Sequence, residues 1–494
     1  APAGGVRGTE EAGVHVFRGL PYARPPVGDL RWRPTEPLPA WPVVREATEF
    51  GAACMQPASP FANHAAVSED CLFLNIWKPA EATRAPVIVW IHGGSLVSGA
   101  GSEAIYDGAN FARQGVIVVS INYRLGAFGW LAHPGLSAET PGNVSGNYGL
   151  MDQIEALRWV RRNIGAFGGD HDNVTIAGES AGALSVLYLM AAPEARGLFH
   201  RAIAQSAYMI TMPELRNGSY ADWPDAESLG ASLASTLGAA DPAALRALDA
   251  RAIIEGTGRT RWFPLGTVDG RLLPRQLVDT FDRGEQAPTP VLTGYNEGEI
   301  RSLRFLLPPA PATADLYADE IRARYGDLAE AFLAHYPAET LSESMLATTR
   351  DALYGWTAER LAAKQTAIGS SAFLYYFDHG YPAADEGGFR AFHAAEIPFV
   401  FGTIGSTPRY WPPVPQDARE RRLSDAISGY WATFARDGAP RAGTEAEWRP
   451  YGQDRAYMAF EDAPRLRAGP PNAYGLHEAV VCRRRAQGGL AWHW

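Results

Sequence analysis

The chemically most informative segment is Gly178-Glu179-Ser180-Ala181-Gly182, a Gly-x-Ser-x-Gly pattern between a β-branched run and an apolar run. A strand that turns sharply into a helix here would lift the Ser180 hydroxyl above the edge of a sheet, and the glycines permit the strained backbone that this requires. The start of the helix adds unpaired N–H groups, which stabilise developing negative charge. The pattern therefore predicts that Ser180 is a nucleophile.

A serine nucleophile needs a base that takes its proton and an acid that orients the base, and in this strand-turn-helix setting the chain order is Ser, acid, His. Two histidines belong to segments that follow a predicted strand: His379 comes directly after it, and His393 lies in the next loop. Spacing alone favours His393 but leaves His379 open. His200 and His335 lie in helix-like segments, where a core or solvated histidine is the simpler interpretation.

For the acid, Glu297 comes just after another predicted strand, where functional carboxylates gather in a parallel sheet. Glu299 follows two residues later and is expected to point elsewhere if the chain is extended. A solvated loop carboxylate remains an alternative interpretation of Glu297.

A glycine-rich turn in residues 91–103 could supply donors to a substrate oxygen, because Gly93 and Gly94 let the backbone approach it closely. Backbone N–H groups of this turn and of Ala181 would then form an oxyanion hole. The turn has neither GxGxxG nor GxxxxGK[ST] spacing, so a nucleotide-binding loop is not expected.

Alternating strands and helices are expected to position these residues. Continuous β-branched or aromatic runs predict strands buried on both faces, at Ala85–Gly94, Gly115–Arg124, Asn173–Gly178, Pro290–Asn296 and Ser371–Phe377. Apolar residues at helical spacing predict a helix within 147–167. This order predicts an α/β fold with a mainly parallel sheet, in one domain spanning 1–494, whose inserted helices form the walls of a cleft.

Composition excludes several classes of protein. The 494 residues are 46% hydrophobic and 20% charged, which is typical of a globular domain, and no apolar run approaches the length of a membrane span. The net charge is −10 and the basic residues form no stripe, so a nucleic-acid partner is not expected. Asp170 and Asp172 are interpreted as a turn before a strand rather than as metal ligands.

The three cysteines, Cys54, Cys71 and Cys482, match neither a zinc site nor a redox motif. Cys54 and Cys71 could close a short loop by a disulfide bond, which requires an oxidising compartment. The sequence starts at Ala1 without Met, as either removal of a secretion signal or artificial trimming of the chain would leave it. We therefore expect a secreted or periplasmic protein.

Nearly the whole chain resembles the type-B carboxylesterases, the α/β-hydrolase group that includes cholinesterases, bile-salt lipases and bacterial carboxylesterases. The motifs that carry the resemblance are VFRGLPYARPPVGDLRW, SEDCLFLNIW, WIHGG, NYRLGAFGW, NYGLMDQIEALRWVRRNIGAFGGD, GESAGA, VDGRLLP, NEG and FHAAEIPFVFG, in that order. The resemblance implies an α/β-hydrolase fold and hydrolysis of a small-molecule ester through an acyl-enzyme, without metal or organic cofactor. A non-catalytic binding relative and lyase chemistry on a cyanohydrin remain alternatives.

By resemblance, the catalytic triad falls on Ser180, His393 and Glu297. The resemblance also implies further positions, namely oxyanion donors at Gly94, Ser95 and Ala181, a Cys54–Cys71 disulfide with Cys482 unpaired, and the ion pairs Arg31–Glu69 and Arg124–Asp152. At Ser95 and Leu96 the sequence departs from the family, which often has Gly or Ala and then an aromatic residue. The pocket wall is therefore expected to be less aromatic.

Arginines suggest a substrate with a negatively charged acyl group. Arg259 and Arg261 precede the VDG motif in the segment that resembles the acyl-pocket wall of the family, and with Trp262 and Leu96 they are candidate substrate contacts. Arg301 and Arg304 follow Glu297 within two helical turns. Arginine binds carboxylates in a bidentate manner, so polycarboxylate esters are candidates, as for bacterial relatives that remove tricarballylate from fumonisins. The alternative is a general esterase for short neutral esters, in which the arginines reflect only an arginine-rich chain.

The sequence leaves the oligomeric state open, and it is compatible with a monomer.

Overall fold

Strands and helices alternate along much of the chain. The computed structural model describes residues 1–59, 66–217, 224–260, 262–470 and 472–491. The strands in these residues are β1 Val6–Arg7, β2 Thr9–Glu11, β3 Val14–Pro21, β4 Arg45–Glu46, β5 Ala53–Cys54, β6 Val67–Ser68, β7 Phe73–Pro79, β8 Ala85–Ile91, β9 Ile117–Ile121, β10 Gly169–Glu179, β11 Arg201–Gln205, β12 Val291–Asn296, β13 Ala372–Phe377, β14 Ala456–Phe460 and β15 Pro464–Ala468.

The helices of the described residues are mostly short and follow the strands. They are α1 Ala109–Arg113, α2 Gly126–Trp130, α3 Pro134–Ala138, α4 Tyr148–Asn163, α5 Ala181–Ala191, α6 Ala226–Thr236, α7 Pro242–Ala247, α8 Ala250–Gly258, α9 Leu277–Asp282, α10 Glu299–Ser302, α11 Ala314–Tyr325, α12 Ala329–His335, α13 Leu341–Arg350, α14 Trp356–Ala367, α15 Pro382–Glu386, α16 Ile397–Phe401, α17 Ala418–Asp437 and α18 Tyr474–Ala486. A π-helical turn, Asp351–Gly355, joins α13 to α14.

One large sheet has the strand order β15-β14-β13-β12-β11-β10-β8-β9-β7-β3-β2. Neighbouring strands from β14 to β9 in this order are parallel, and the pairs at both edges are antiparallel. The predicted α/β fold with a mainly parallel sheet is therefore confirmed. Since the parallel strands all end at the same edge of the sheet, the loops after β8, β10, β12 and β13 can meet there.

The central strands are buried on both faces, as their continuous apolar runs predict. In β8, Val87 and Val89 pack into one hydrophobic cluster, whereas Ile88 and Trp90 pack into another. Alternate side chains of a strand point to opposite faces, so the two clusters are the two halves of the core. The strand predicted to run to Gly94 ends at Ile91, where the glycine-rich turn begins.

The disulfide implied by the resemblance is confirmed. Cys54 and Cys71 are bonded, and Cys482 is an exposed free cysteine. A disulfide that closes a loop of this length stabilises a fold by about 3 kcal/mol in the chain-entropy model. None of the helices in the described ranges is both long and apolar enough to cross a bilayer.

Both predicted ion pairs are also present; Arg124–Asp152 is buried, and Arg31–Glu69 is partly buried. Arg31 Nε donates to Glu69 Oε2 at 2.6 Å, and Arg124 Nε donates to Asp152 Oδ2 at 2.8 Å. Each arginine makes a second bond to the same carboxylate, which gives the fork geometry of a strong pair.

The interpretation of Asp170 and Asp172 as a turn before a strand is wrong in its boundary. Both residues lie in β10, which begins at Gly169, although its pairing with β8 is irregular between Gly169 and Val174. Asp170 accepts a hydrogen bond from Arg84 Nη2 at 2.7 Å, so this carboxylate already has a cationic partner.

Candidate active site

Ser180 lies at a sharp turn between the end of β10 and the start of α5. Its backbone has φ 57° and ψ −123°, a conformation that L-residues rarely adopt. A Cβ on Gly178 would lie 2.5 Å from the Gly182 carbonyl carbon, and one on Gly182 would lie 2.0 Å from the Ile91 carbonyl oxygen. Both glycines of the motif are therefore required by close backbone contacts, and the predicted strand-turn-helix setting of Ser180 is confirmed.

Backbone hydrogen bonds fix this turn on both sides. The N–H of Ser180 donates to the carbonyl of Gln205 at the end of β11, at 2.9 Å, and the carbonyl of Ser180 accepts from Leu184 N–H at 2.9 Å. The serine is thus held where its side chain lines a cavity of about 1500 Å³, together with His393.

His393 is fixed between two carboxylates. Its Nδ1 is hydrogen-bonded to Glu299 Oε2, and its Nε2 lies 3.1 Å from Glu179 Oε1. The Tyr354 ring, in the π-helical turn, packs on the imidazole with ring centres 5.3 Å apart. No hydrogen bond joins Ser180 Oγ to the imidazole in the described residues, and such bonds commonly form only when substrate binds.

The histidine that spacing left open as an alternative lies elsewhere. His379 is buried, and its Nε2 is 2.6 Å from the carboxylate of Glu420 in α17. It does not line the cavity that holds Ser180 and His393.

The carboxylate hydrogen-bonded to His393 Nδ1 is that of Glu299. The expectation that Glu297 contacts this histidine is wrong. Glu299 is fully buried, and its second oxygen accepts hydrogen bonds from Ser206 Oγ at 2.6 Å and from Asn296 N–H at 2.9 Å. Both oxygens are engaged, so this carboxylate is fixed in position.

Glu297 lies among arginines instead. Its carboxylate oxygens are 3.5 Å from Arg390, 3.7 Å from Arg301 and 3.8 Å from Arg350. Arg350 also donates to the Glu297 carbonyl at 3.2 Å, so this residue anchors the loop after β12.

The turn that follows β12 explains why Glu299 contacts His393 and Glu297 does not. The chain is not extended beyond Asn296, since α10 begins at Glu299. At the turn, Gly298 N–H donates to the Ala391 carbonyl at 2.7 Å, and a Cβ on Gly298 would lie 2.5 Å from the Phe389 carbonyl oxygen. The close approach to the histidine loop directs Glu299, not Glu297, towards His393.

Burial and charge shift the pKa values at this centre. Burial raises the pKa of Glu179 to about 8. Burial also disfavours the charged form of His393, but the carboxylates of Glu179 and Glu299 outweigh it and raise the pKa of His393 to about 9. The imidazolium form is thus strongly stabilised.

The turn after β8 carries Gly94 and Ser95, two of the expected oxyanion donors. Gly94 and Ser95 both have positive φ, at 103° and 57°, and both line the cavity. Ser98 N–H donates to the Gly94 carbonyl at 3.0 Å, which closes the turn. Ala181 is the first residue of α5, so its N–H has no carbonyl one helical turn earlier.

A glutamine missed by the sequence argument holds this loop. The Gln56 amide accepts from Gly99 N–H at 2.9 Å and donates to the Gly99 carbonyl at 2.9 Å. Gln56 is two residues from Cys54, so the disulfide loop supports the turn after β8. Tyr354 was also missed, and neither residue has a sequence signal beyond its ordinary type.

The candidate substrate contacts are mostly wrong. Leu96 is in the core, Trp262 packs against core clusters, and Arg259 is exposed at the end of α8; none of the three lines the cavity. The expectation for Arg261 falls outside the described residues. Phe263 and Leu265, from the same segment, line the cavity instead.

Of the two arginines after Glu297, Arg301 is paired and Arg304 is exposed. Arg301 Nη2 donates to Glu343 Oε2 at 2.5 Å in addition to its contact with Glu297. Neither arginine lines the cavity, and Arg259 does not either, so the residues that the structure describes do not form the expected arginine cluster.

Comparison with known proteins agrees with this architecture. Residues 1–473 match the model of the Carboxylesterase family. The chain is 36% identical over 492 residues to the Fumonisin B1 esterase of Sphingopyxis macrogoltabida, covering 97% of this chain and 88% of the relative. It is 36% identical over 473 residues to the para-nitrobenzyl esterase of Bacillus subtilis (strain 168), covering 91% of this chain and 92% of the relative.

Among solved structures, a carboxylesterase of Geobacillus stearothermophilus matches with a TM-score of 0.82 and 33% sequence identity, over 96% of this chain and 98% of the other. Its fold is that of the α/β-hydrolases. The chain therefore belongs to the carboxylesterase family, and it is a carboxylic ester hydrolase.

Proposed function

We propose that the protein hydrolyses esters through a triad of Ser180, His393 and Glu299. The observation that carries the proposal is the hydrogen bond between His393 Nδ1 and Glu299, in a cavity that Ser180 also lines. The buried Glu299 carboxylate fixes the tautomer in which Nδ1 carries the proton, so Nε2 is left to act as the base.

In the first half-reaction, Ser180 Oγ attacks the ester carbonyl carbon while its proton passes to His393 Nε2. The carbonyl oxygen becomes an oxyanion, and backbone N–H groups of Gly94, Ser95 and Ala181 stabilise it. The tetrahedral intermediate then loses the alcohol, which takes the proton from Nε2. An acyl-enzyme on Ser180 remains.

In the second half-reaction, water attacks the acyl-enzyme and gives a proton to Nε2, and Ser180 Oγ leaves with that proton. Glu179, 3.1 Å from Nε2, stabilises the imidazolium that forms twice in this cycle. In each half-reaction His393 Nε2 accepts one proton and then releases it. The chemistry therefore needs no reagent other than water.

Both substrate classes anticipated from the sequence have support among the relatives. Equal identity, 36%, to a Fumonisin B1 esterase and to a para-nitrobenzyl esterase supports polycarboxylate esters and general neutral esters alike. The wall residues Ile210, Leu265, Phe305 and Leu306 are apolar, which supports an ester with a sizeable apolar part.

Ser180→Ala tests this triad against a hydrolase that uses another nucleophile. We expect the variant to fold normally and to lose at least about 10³-fold in kcat for a chromogenic ester, because the nucleophile is gone. An organophosphate should block one site per chain in the wild type and none in the variant. Turnover by the variant near the wild-type rate would refute the assignment of Ser180.

We also propose a secreted or periplasmic location, which the Cys54–Cys71 disulfide supports. Thiol titration of denatured, unreduced protein from its natural source should find one thiol per chain, that of Cys482. Three thiols would argue for a reducing compartment.

A further inference from the structure

The catalytic cavity reaches beyond the strand ends to a wall made by α11 and α18. Arg324 and Glu320 of α11 and Arg484 of α18 line this wall. The cavity volume of about 1500 Å³ exceeds the roughly 300–1000 Å³ usual for a small-molecule site. A substrate whose ester lies at Ser180 therefore has room for a second group at these helices.

The two arginines of the wall differ from their neighbours because neither has an ion-pair partner among the described residues. Arg483 pairs with Asp327 at 2.7 Å, and Arg485 pairs with Asp279 and Asp282. No carboxylate in the described part of the chain forms such a pair with Arg324 or Arg484. Both guanidinium groups thus keep their donors for a ligand.

The environment of Arg484 favours an incoming anion. Its side chain is partly buried, and this burial, together with the positive charge of Arg324, lowers the pKa of Arg484, although Tyr325 acts in the opposite sense. Two like charges beside one cavity repel each other, and a bound carboxylate between them would relieve both the repulsion and the burial of an unpaired charge.

Glu320 is the third charged group of this wall, one helical turn before Arg324. Its carboxylate reduces the net positive charge but leaves an excess of one at this end of the cavity. Glu320 therefore offers a control of opposite sign, since removing it should strengthen the attraction of an anion.

We propose that Arg324 and Arg484 form a subsite for a carboxylate that the ester substrate carries away from the scissile bond. The subsite rests on the proposed esterase function. It assigns anionic recognition to α11 and α18 rather than to the segment around Arg259.

The experiment compares an aryl ester that has a neutral acyl chain with its ω-carboxylate analogue, at several chain lengths. For Arg484→Gln and Arg324→Gln we expect KM of the ω-carboxylate ester to rise about tenfold, with KM of the neutral ester unchanged, as the loss of one charge-assisted hydrogen bond at a partly exposed site predicts. Glu320→Gln should lower KM of the ω-carboxylate ester.

Arg483→Gln is the matched control. It removes the same charge from the residue directly before Arg484 in α18, but this arginine is paired with Asp327. It should leave the ratio of the two KM values unchanged. A wild type that does not distinguish the esters at any chain length, or equal effects of Arg483→Gln and Arg484→Gln, would overturn the subsite.

Direct binding separates this proposal from the esterase mechanism. A non-hydrolysable dicarboxylate monoamide, titrated calorimetrically, should bind the wild type more tightly than Arg484→Gln by a similar factor. That result in a protein that cleaves neither ester would support the subsite and refute the proposed function. If the wild type cleaves the neutral ester but neither Arg324→Gln nor Arg484→Gln changes KM or binding of the carboxylate ligand, the proposed function is supported and the subsite is refuted.

Discussion

The strand ends and the helical wall of the same cavity are built differently. At the strand ends, polar groups are buried and engaged: both oxygens of Glu299 have partners, and the Ser180 backbone is bonded on two sides. In the helical wall, Arg324 and Arg484 form no ion pair in the described residues, and Phe305, which lines the cavity before the start of α11, is 78% exposed. The groups to which we assign the reaction are fixed, whereas the groups that we propose to select a substrate remain available to it.

The largest expected effect within this comparison distinguishes the two carboxylates after β12. Glu299→Gln should lower kcat by about 10⁴-fold, the loss typical when a triad carboxylate becomes an amide that favours the wrong imidazole tautomer. Steady-state kinetics on a neutral aryl ester measures this loss.

Glu297→Gln is the matched control, two residues away and of the same chemistry. Because Glu297 contacts arginines and not His393, kcat should fall less than about tenfold. Equal losses in the two variants would contradict the assignment of the acid to Glu299.

A disulfide supports the strand-end region through Gln56. Replacing Cys54 and Cys71 by Ser should lower the free energy of unfolding by about 3 kcal/mol, since the unfolded chain gains the freedom of the opened loop. Urea unfolding of the double variant and the wild type measures the difference. Cys482→Ser, which removes an exposed free thiol, should leave the stability unchanged.

The pH profile tests how strongly the two carboxylates bind the imidazolium. Glu179 and Glu299 raise the pKa of His393 to about 9, and only the neutral imidazole accepts a proton, so kcat/KM should rise with pH up to that region. Glu179→Gln removes one of the attracting carboxylates and should shift this rise to lower pH. A rise that stays at the same pH in Glu179→Gln would show that Glu179 does not act on His393.

The smallest effect is expected at Phe305, which lines the cavity before the start of α11. Phe305→Ala should raise KM for long neutral esters only a few-fold and leave kcat unchanged, because a single side chain supplies a small part of the apolar lining of this cavity. Its thermal stability should equal that of the wild type. A large fall in kcat would show that Phe305 positions the reacting ester as well as binding it.

Much of the fold could be predicted because its signals are local. Continuous apolar runs gave strand positions within a few residues: the segment predicted as Pro290–Asn296 is Val291–Asn296, and Ser371–Phe377 is Ala372–Phe377. The turn at Ser180 was also predictable, since the Gly-x-Ser-x-Gly pattern is contiguous, although the contact that requires Gly182 is with Ile91 of β8.

The sequence by itself determined the parallel sheet and the sharp turn that holds Ser180, and family resemblance pointed to His393, which lines the same cavity as Ser180. Only the tertiary structure decided that Glu299 contacts His393, because the turn at Gly298 depends on carbonyl groups some ninety residues later in the chain. It also decided which arginines face the cavity. An arginine's surroundings depend on elements far away in sequence: Arg301 meets Glu343, whereas Arg484 reaches the cavity wall beside α11.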